Sequence, residues 1–395
     1  MVKPLMFEKP TGMRDTLPNL YRVKESIRKK TSTEMRQWGY EPIETPTLEY
    51  FDTVGYASAI LEQQLFKLLD QQGHPLVLRP DMTAPIARIA ASTLKEKQRP
   101  VRLTYDANVF RAQQREGGKT AEFEQVGVEL IGDETVSADG EVIALMLSAM
   151  NRIELQDVQV AIGNVAFVHA LLIDILGSEE RAEVLKRYLY EKNYVGFRRH
   201  VESLSLSSID KRRLEKLLKL RGGREVLDEA YGIAETEEAR QALDDLVQLS
   251  DVLTSFGVEE NVRFDLNLLM HMSYYTGVVF EAYSSNLGYP IGSGGRYDEL
   301  LRRFDQQEAA TGFGLRLDLL VEALGSAEVE QEQSTCLIFS HERRAEAVRE
   351  AKRLRENGET VVLQDIAGIA DVDAFSQAYP KVEYLIGTNG GGSSE

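Results

Sequence analysis

Gln125-Val126-Gly127-Val128-Glu129-Leu130-Ile131 is rich in β-branched residues and sets Gln125 and Glu129 four positions apart, so in a strand they fall on one face. Residues 101–110 upstream are strand-like too, with β-branched and aromatic side chains. The stretch between them, residues 113–120, is polar and contains Gly117-Gly118, which predicts a flexible hairpin loop joining two antiparallel strands. On pattern alone the face carrying Gln125 and Glu129 reads as the solvent side of that hairpin, because alternating polar residues usually face water. Outward from it, residues 19–37 predict a long amphipathic helix ending near Trp38-Gly39-Tyr40, where glycine supplies a left-handed cap. Residues 139–153 predict an apolar helix and residues 158–162 a strand. From about 166 to 256, Leu, Glu, Lys and Arg recur at helical spacing without a clear strand. Ser178-Glu179-Glu180 and Ser207-Ser208-Ile209-Asp210 read there as helix caps, and Gly222-Gly223 as a helix break. Strands resume at residues 262–265 and 274–283. Residues 336–339, a helix over 342–356 closed by Gly358, and residues 360–364 make a small β-α-β unit, and residues 389–394 a flexible tail. The class is α+β.

Composition narrows the function classes. The 395 residues leave room for two or three domains, and 28% charged with 43% hydrophobic residues is an ordinary globular balance. Cys336 is alone, so no intrachain disulfide is possible, and the N-terminus lacks a signal-peptide pattern; a cytoplasmic location is the expectation. No apolar run approaches the ~20 residues that span a bilayer. His74, His169, His200, His271 and His341 show no ligand spacing, so no metal is expected, and no cofactor is implied. Gly292-Ser293-Gly294-Gly295 lacks the Lys-Ser/Thr of a phosphate-binding P-loop. A net charge of −17 disfavours nucleic acid without excluding a local basic groove.

Eight short strings then occur in one order. They are Gly12-Met13-Arg14-Asp15-Thr16-Leu17-Pro18, Glu41-Pro42-Ile43-Glu44-Thr45-Pro46-Thr47-Leu48-Glu49, Leu78-Arg79-Pro80-Asp81-Met82-Thr83, Phe110-Arg111-Ala112-Gln113, and Phe123-Glu124-Gln125-Val126-Gly127-Val128-Glu129. Met270-His271-Met272-Ser273-Tyr274-Tyr275-Thr276-Gly277-Val278-Val279-Phe280-Glu281, Gly292-Ser293-Gly294-Gly295-Arg296-Tyr297-Asp298 and Gly312-Phe313-Gly314-Leu315-Arg316-Leu317-Asp318-Leu319-Leu320 complete the set. Together, over roughly residues 7–325, they resemble the histidyl-tRNA synthetase family of class II aminoacyl-tRNA synthetases. The resemblance implies an antiparallel sheet flanked by helices, with the helical stretch 166–256 as the family's insertion and residues 41–49 as its dimer-forming motif 1.

It also implies a histidine pocket. Asp81 stands where the family's glutamate binds the ligand ammonium, one methylene shorter, with Thr83 and Gln125 at neighbouring polar positions. Glu129 and Tyr275, with Tyr274 beside it, fall where the family grips the imidazole; Tyr297 closes the pocket, and Arg111 is retained, its planar fork suited to a carboxylate or an α-phosphate. On the nucleotide side Gln113 replaces a glutamate, Met270 replaces an arginine, and the family's G-L-E-R reads here as Arg316-Leu317-Asp318-Leu319, which puts Leu319 at a second arginine position. Losing one such cation costs about 3 kcal/mol of transition-state stabilisation, so two losses point to a binder of histidine rather than an activator. The alternative is a working synthetase in which Arg316, about one turn before Leu319 if motif 3 is helical, or Arg302 takes over. A third reading is a ligand-free assembly scaffold.

The C-terminus favours the first reading. Residues 331–395 hold seven Lys/Arg against eleven Asp/Glu, a short acidic segment where a synthetase carries an anticodon-binding domain of about a hundred residues by the resemblance. The pattern therefore resembles the non-catalytic branch of the family that serves as regulatory subunits of ATP phosphoribosyltransferase. That branch implies a partnership with the short-form catalytic subunit in a hetero-octamer, a homodimeric core, histidine as ligand, and no tRNA or membrane partner. The expected organisation is a core over 1–325, a small α/β domain over 331–389 and a tail over 390–395.

Overall fold

The computed structural model describes residues 7–55, 57–58, 60–112, 120–270, 274–325 and 334–387. Gln113 and His271, the 113–119 part of the hairpin loop, and the tail beyond residue 387 lie outside the described residues. The chain divides into two compact units, Met1–Ala327 and Glu328–Glu395.

The first unit opens with α1 (Pro18–Gln37), whose proline sits in the first turn and whose end is followed by Gly39 at φ +86°, the left-handed position the sequence predicts. β1 (Glu41–Pro42) leads to a small antiparallel sheet of β2 (Leu48–Tyr50), β3 (Lys67–Leu69) and β4 (Pro75–Leu78), followed by α2 (Thr83–Ala91). The predicted hairpin is β5 (Val101–Phe110) and β6 (Glu122–Ile131), paired antiparallel along their whole length. Next come α3 (Val136–Arg152) and β7 (Val158–Asn164). The insertion then supplies α4 (Val165–Leu176), α5 (Glu179–Tyr190), α6 (Tyr194–Ser203), α7 (Ser208–Leu217), β8 (Arg221–Gly222), α8 (Glu225–Tyr231) and α9 (Glu237–Ser255). β9 (Val262–Asp265), β10 (Val278–Ser284), β11 (Gly292–Arg296), α10 (Asp298–Arg302), β12 (Ala310–Arg316) and α11 (Leu317–Leu324) complete it.

Nine strands form one sheet in the order β1-β5-β6-β12-β11-β10-β7-β9-β8. Its centre is antiparallel, while β1–β5 and β7–β9 pair in parallel, so the sheet is mixed rather than purely antiparallel. Alternation sorts its two faces. Val126, Val128, Phe313, Leu315, Phe280 and Ile162 enter the large core under α3, α4 and α9. The opposite face carries Phe123, Gln125, Gly127 and Glu129 of β6, opposite Arg316, Gly314 and Gly312 of β12.

Three expectations need correction. Residues 274–277 precede the strand that begins at Val278: Tyr274 packs its ring against Tyr275 and Tyr297, and tertiary packing overrides the strand propensity of paired tyrosines. Gly222 does not simply break a helix, since Arg221–Gly222 pairs with β9. Ser207 caps α7 by accepting from the Asp210 amide at 3.0 Å, whereas Ser178 occupies the cap position of α5 without a side-chain bond.

The Gly-Gly-Arg-Tyr-Asp turn is held from within. Arg296, 8% exposed, donates to Asp139 Oδ2 at 3.0 Å and to the Asp133 and Thr135 carbonyls at 3.1 and 3.0 Å. Asp139→Ala removes the nearer counter-charge and leaves the buried guanidinium only Asp298 at 3.6 Å, so a loss of about 3 kcal/mol in unfolding free energy is expected from denaturant titration.

The second unit is a parallel sheet, β14-β13-β15, built from β13 (Ser334–Phe339), β14 (Thr360–Asp365) and β15 (Lys381–Leu385), with α12 (Arg344–Glu356) and α13 (Val372–Ser376). Gly358 follows α12 at φ +88°. β15 is a third strand beyond the β-α-β unit read from the sequence, and residues 341–343 form a 3-10 turn ahead of α12.

Candidate functional site

Glu129 sits at the centre of the upper face of β6. It is 1% exposed, so the solvent-face reading fails; α2 and the tyrosine cluster cover it. Thr83, the first residue of α2, donates to Glu129 Oε1 at 2.8 Å, and the Tyr297 hydroxyl donates to Oε2. Burial pushes the Glu129 carboxyl up to about 8; the two hydroxyls pull down against it, and Asp81 nearby adds a little more upward push. Such a carboxyl changes charge near neutral pH inside the protein, a property concentrated at functional sites.

Room for Glu129 and Gln125 comes from the neighbouring strand. A Cβ on Gly312 would stand 2.0 Å from Glu129 Oε2, and one on Gly314 would stand 1.7 Å from Gln125 Nε2. The two polar side chains therefore lie across glycines whose missing side chains they replace. Gln125 and Glu129 are four residues apart, about 13 Å along the strand, enough to meet the two ends of a small elongated molecule. Gln125 Oε1 is buried and accepts no hydrogen bond among the described residues. An acceptor in that state calls for a donor.

Tyr274 is fully buried, its ring 5.0 Å from that of Tyr275 and 5.8 Å from that of Tyr297. Burial raises all three phenols, so each remains a neutral hydrogen-bonding group. Asp81, 2% exposed, accepts from Ser58 Oγ at 2.8 Å through Oδ2 and from the Ala84 amide at 3.0 Å through Oδ1. Its shorter chain is thus fixed against the start of α2. Arg111 donates from Nε to the Pro80 carbonyl at 2.8 Å, which ties it to the same segment. All eight residues singled out in the sequence gather on this face or at its rim.

Motif 3 does not lie as the sequence suggested. Arg316 ends β12 on the site face, and the helix starts only at Leu317; Leu319 packs against the large core instead. Arg316 therefore reaches the site side by strand alternation, not by a helical turn. Its guanidinium lies 4.1 Å from the centre of the Phe123 ring, while that of Arg111 lies 5.4 Å from it. Yet Asp318 binds Arg316 with both carboxylate oxygens, at 3.2 and 2.6 Å, and Thr120 accepts from it at 3.1 Å. Charge and planar fork are both engaged. Arg302 pairs with Glu299 at 2.6 Å on the exposed side of α10 and takes no part. Met270 is half-buried. Sequence reasoning gave Phe123, Asp318, Gly312 and Gly314 no role, because their pairing depends on register, and nothing in the sequence marked Ser58.

Among the described residues no group of three or more His, Cys, Asp or Glu side chains could hold a metal, and no helix is long and apolar enough to cross a membrane.

Comparison with known proteins adds the ancestry. A histidyl-tRNA synthetase family profile matches residues 12–320, and one described as the C-terminal domain of histidyl-tRNA synthetase HisZ matches residues 336–387. The ATP phosphoribosyltransferase regulatory subunit of Halalkalibacterium halodurans is 60% identical over 100% of both chains. That of Bacillus subtilis is 56% identical over 97% of each. A crystal structure described as an ATP phosphoribosyltransferase regulatory subunit/histidyl-tRNA synthetase from Bacillus halodurans, 60% identical, covers 98% of this chain and 100% of its own with a TM-score of 0.92. Histidyl-tRNA synthetase from Nostoc, at 20% identity and a TM-score of 0.79 over 94% and 88% of the two chains, shares the fold.

Proposed function

The chain belongs to the histidyl-tRNA synthetase family, on its branch of ATP phosphoribosyltransferase regulatory subunits, and we propose that it reads histidine in the old amino-acid pocket without activating it. Its role is regulatory, in histidine biosynthesis. On this reading Glu129, Tyr274, Tyr275 and Tyr297 hold the imidazole. Asp81, Thr83 and Gln125 receive the ammonium, and Arg111 the carboxylate. Histidine then shifts the complex with the short-form catalytic subunit toward the conformation that binds it better.

One observation carries the proposal. The amino-acid side keeps a buried carboxylate between two hydroxyls and an unmet amide oxygen, while Arg316, the site-face arginine of motif 3, is neutralised by Asp318. A transition state that transfers an adenylyl group needs cations free to offset its charge. Met270 offers none. The rest of the reading follows the family branch: a homodimer through residues 41–49, a hetero-octamer with the catalytic subunit, no tRNA, a cytoplasmic location, and a core over 1–325 with a small domain over 331–389.

Calorimetry with L-histidine tests it. One site per chain is expected, and Glu129→Ala should cost about 2–3 kcal/mol, roughly a hundredfold in Kd, by removing a charge-assisted partner. Histidine-dependent ATP–pyrophosphate exchange should stay at background. Robust exchange, or binding that survives Glu129→Ala unchanged, overturns the proposal.

A further inference from the structure

A second cavity, about 300 Å³, opens on the same face of the large sheet toward its β7-β9-β8 end. Two triads of like composition flank it. In one, Lys192 Nζ lies 3.6 Å from the Glu281 carboxylate and 3.4 Å from the Tyr283 hydroxyl, which itself donates to Glu281. In the other, Arg221 donates to Asp265 at 3.0 Å and to the Tyr194 hydroxyl. Each triad is a cation, a carboxylate and a phenol.

Asn267 belongs to the cavity lining and is 2% exposed. Its backbone amide and its Nδ2 both donate to Asp265 Oδ1, at 3.0 and 3.3 Å, which fixes the orientation of the side-chain amide. Its Oδ1 is then left buried with no hydrogen-bond partner among the described residues. Native proteins seldom leave an acceptor in that state, and a bound donor is one of the few remedies. Lys192 is held at φ +52°, a left-handed backbone that lysine rarely adopts, directly at the rim.

We propose that this cavity is a second small-molecule site, taking a compact zwitterion of amino-acid size. Lys192 and Arg221 meet the anionic group; the unmet Asn267 Oδ1, with Glu281 and Asp265 near it, meets the ammonium or another N–H donor. The two positive and two negative charges of the triads cancel, so a ligand of zero net charge leaves no charge uncompensated. The size is at the lower end of small-molecule pockets, ~300–1,000 Å³. The lining segment Asp265–Leu269 continues along the chain to Tyr274 and Tyr275 of the first pocket, so a ligand here is placed to influence the other site. The assignment does not depend on what occupies the Glu129 pocket.

The test uses the full-length Glu129→Ala chain, which lacks the first pocket's anchor, titrated by calorimetry with L-glutamine and L-alanine in turn. At least one should bind at one per chain, and acetate or methylamine alone should not. Lys192→Ala, a surface change that should leave the melting temperature unaltered, and Asn267→Leu should each weaken that binding about tenfold or more. If Glu129→Ala fails to fold, the same amino acids are titrated into the wild-type chain, where one site is expected for the one that binds, weakened by Lys192→Ala. No binding in a folded Glu129→Ala chain overturns the proposal. So do unchanged affinities in the Lys192 and Asn267 variants, no binding to the wild type, or acetate binding as tightly as the amino acid.

Discussion

Gly312→Ala is expected to abolish histidine binding. The new Cβ would stand 2.0 Å from Glu129 Oε2 and 2.4 Å from the Val128 carbonyl oxygen, on a strand paired with β6 at this register. A side-chain tip can swing away from such a contact, but a backbone carbonyl in the middle of a ladder cannot. The strands must separate locally or Glu129 must leave its hydroxyl partners, and both outcomes dismantle the pocket. Overpacking of this kind costs about 1–3 kcal/mol of stability. Displacing Glu129 adds the binding loss expected for Glu129→Ala, so Kd should rise more than a hundredfold, with a melting temperature lowered by a few degrees. Gly288→Ala is the control, because its Cβ would meet nothing within 4 Å and should change neither quantity. If calorimetry finds Gly312→Ala binding histidine like the wild type, the glycine floor is not where the ligand lies.

How much of this was legible in the sequence depends on whether the deciding contact is local. The hairpin, the long first helix and the helical insertion follow from period and caps, and all three are present. The burial of Glu129 is not local: alternation puts it on one face of β6, but only α2 and the tyrosines beyond residue 270 decide that the face is covered. Motif 3 failed at a boundary. Leu315-Arg316-Leu317-Asp318-Leu319 alternates apolar and polar as a strand does, so a period of 2 runs on past the point where the helix begins at Leu317, and Arg316 ends the strand on the site face. Its pairing with Asp318 is then visible only in three dimensions, and that pairing separates a latent phosphate ligand from a neutralised one.

The same buried carboxyl makes histidine affinity depend on pH from both sides. With its acidity at about 8, unliganded Glu129 holds a proton at pH 7, whereas a free imidazole, with a pKa of about 6.5, is mostly neutral there. A carboxylate–imidazolium pair contains one proton between the two groups, the number they already share in the window from about 6.5 to about 8, so affinity should be flat across it. Below that window both partners are protonated before binding and one proton must be released, so affinity falls as pH drops. Above it both are deprotonated and one must be taken up, so affinity falls as pH rises. Each limb should approach tenfold per pH unit. The stability of the unliganded chain follows a different course. Because the folded-state value lies above the ordinary carboxylate value of 4.5, the folded state holds the proton more tightly. The contribution of Glu129 is therefore most favourable below about pH 4.5 and declines through the interval up to about 8, by as much as ~1.4 kcal/mol per pH unit. Glu129→Gln removes that slope, so its melting temperature should gain on the wild type between pH 5 and pH 8.5 while histidine binding weakens. Calorimetric Kd values near pH 5.5, 7.2 and 9 decide the matter: a plateau with two falling limbs is expected, and affinity that rises steadily with pH would show that a neutral imidazole, not an imidazolium, meets Glu129.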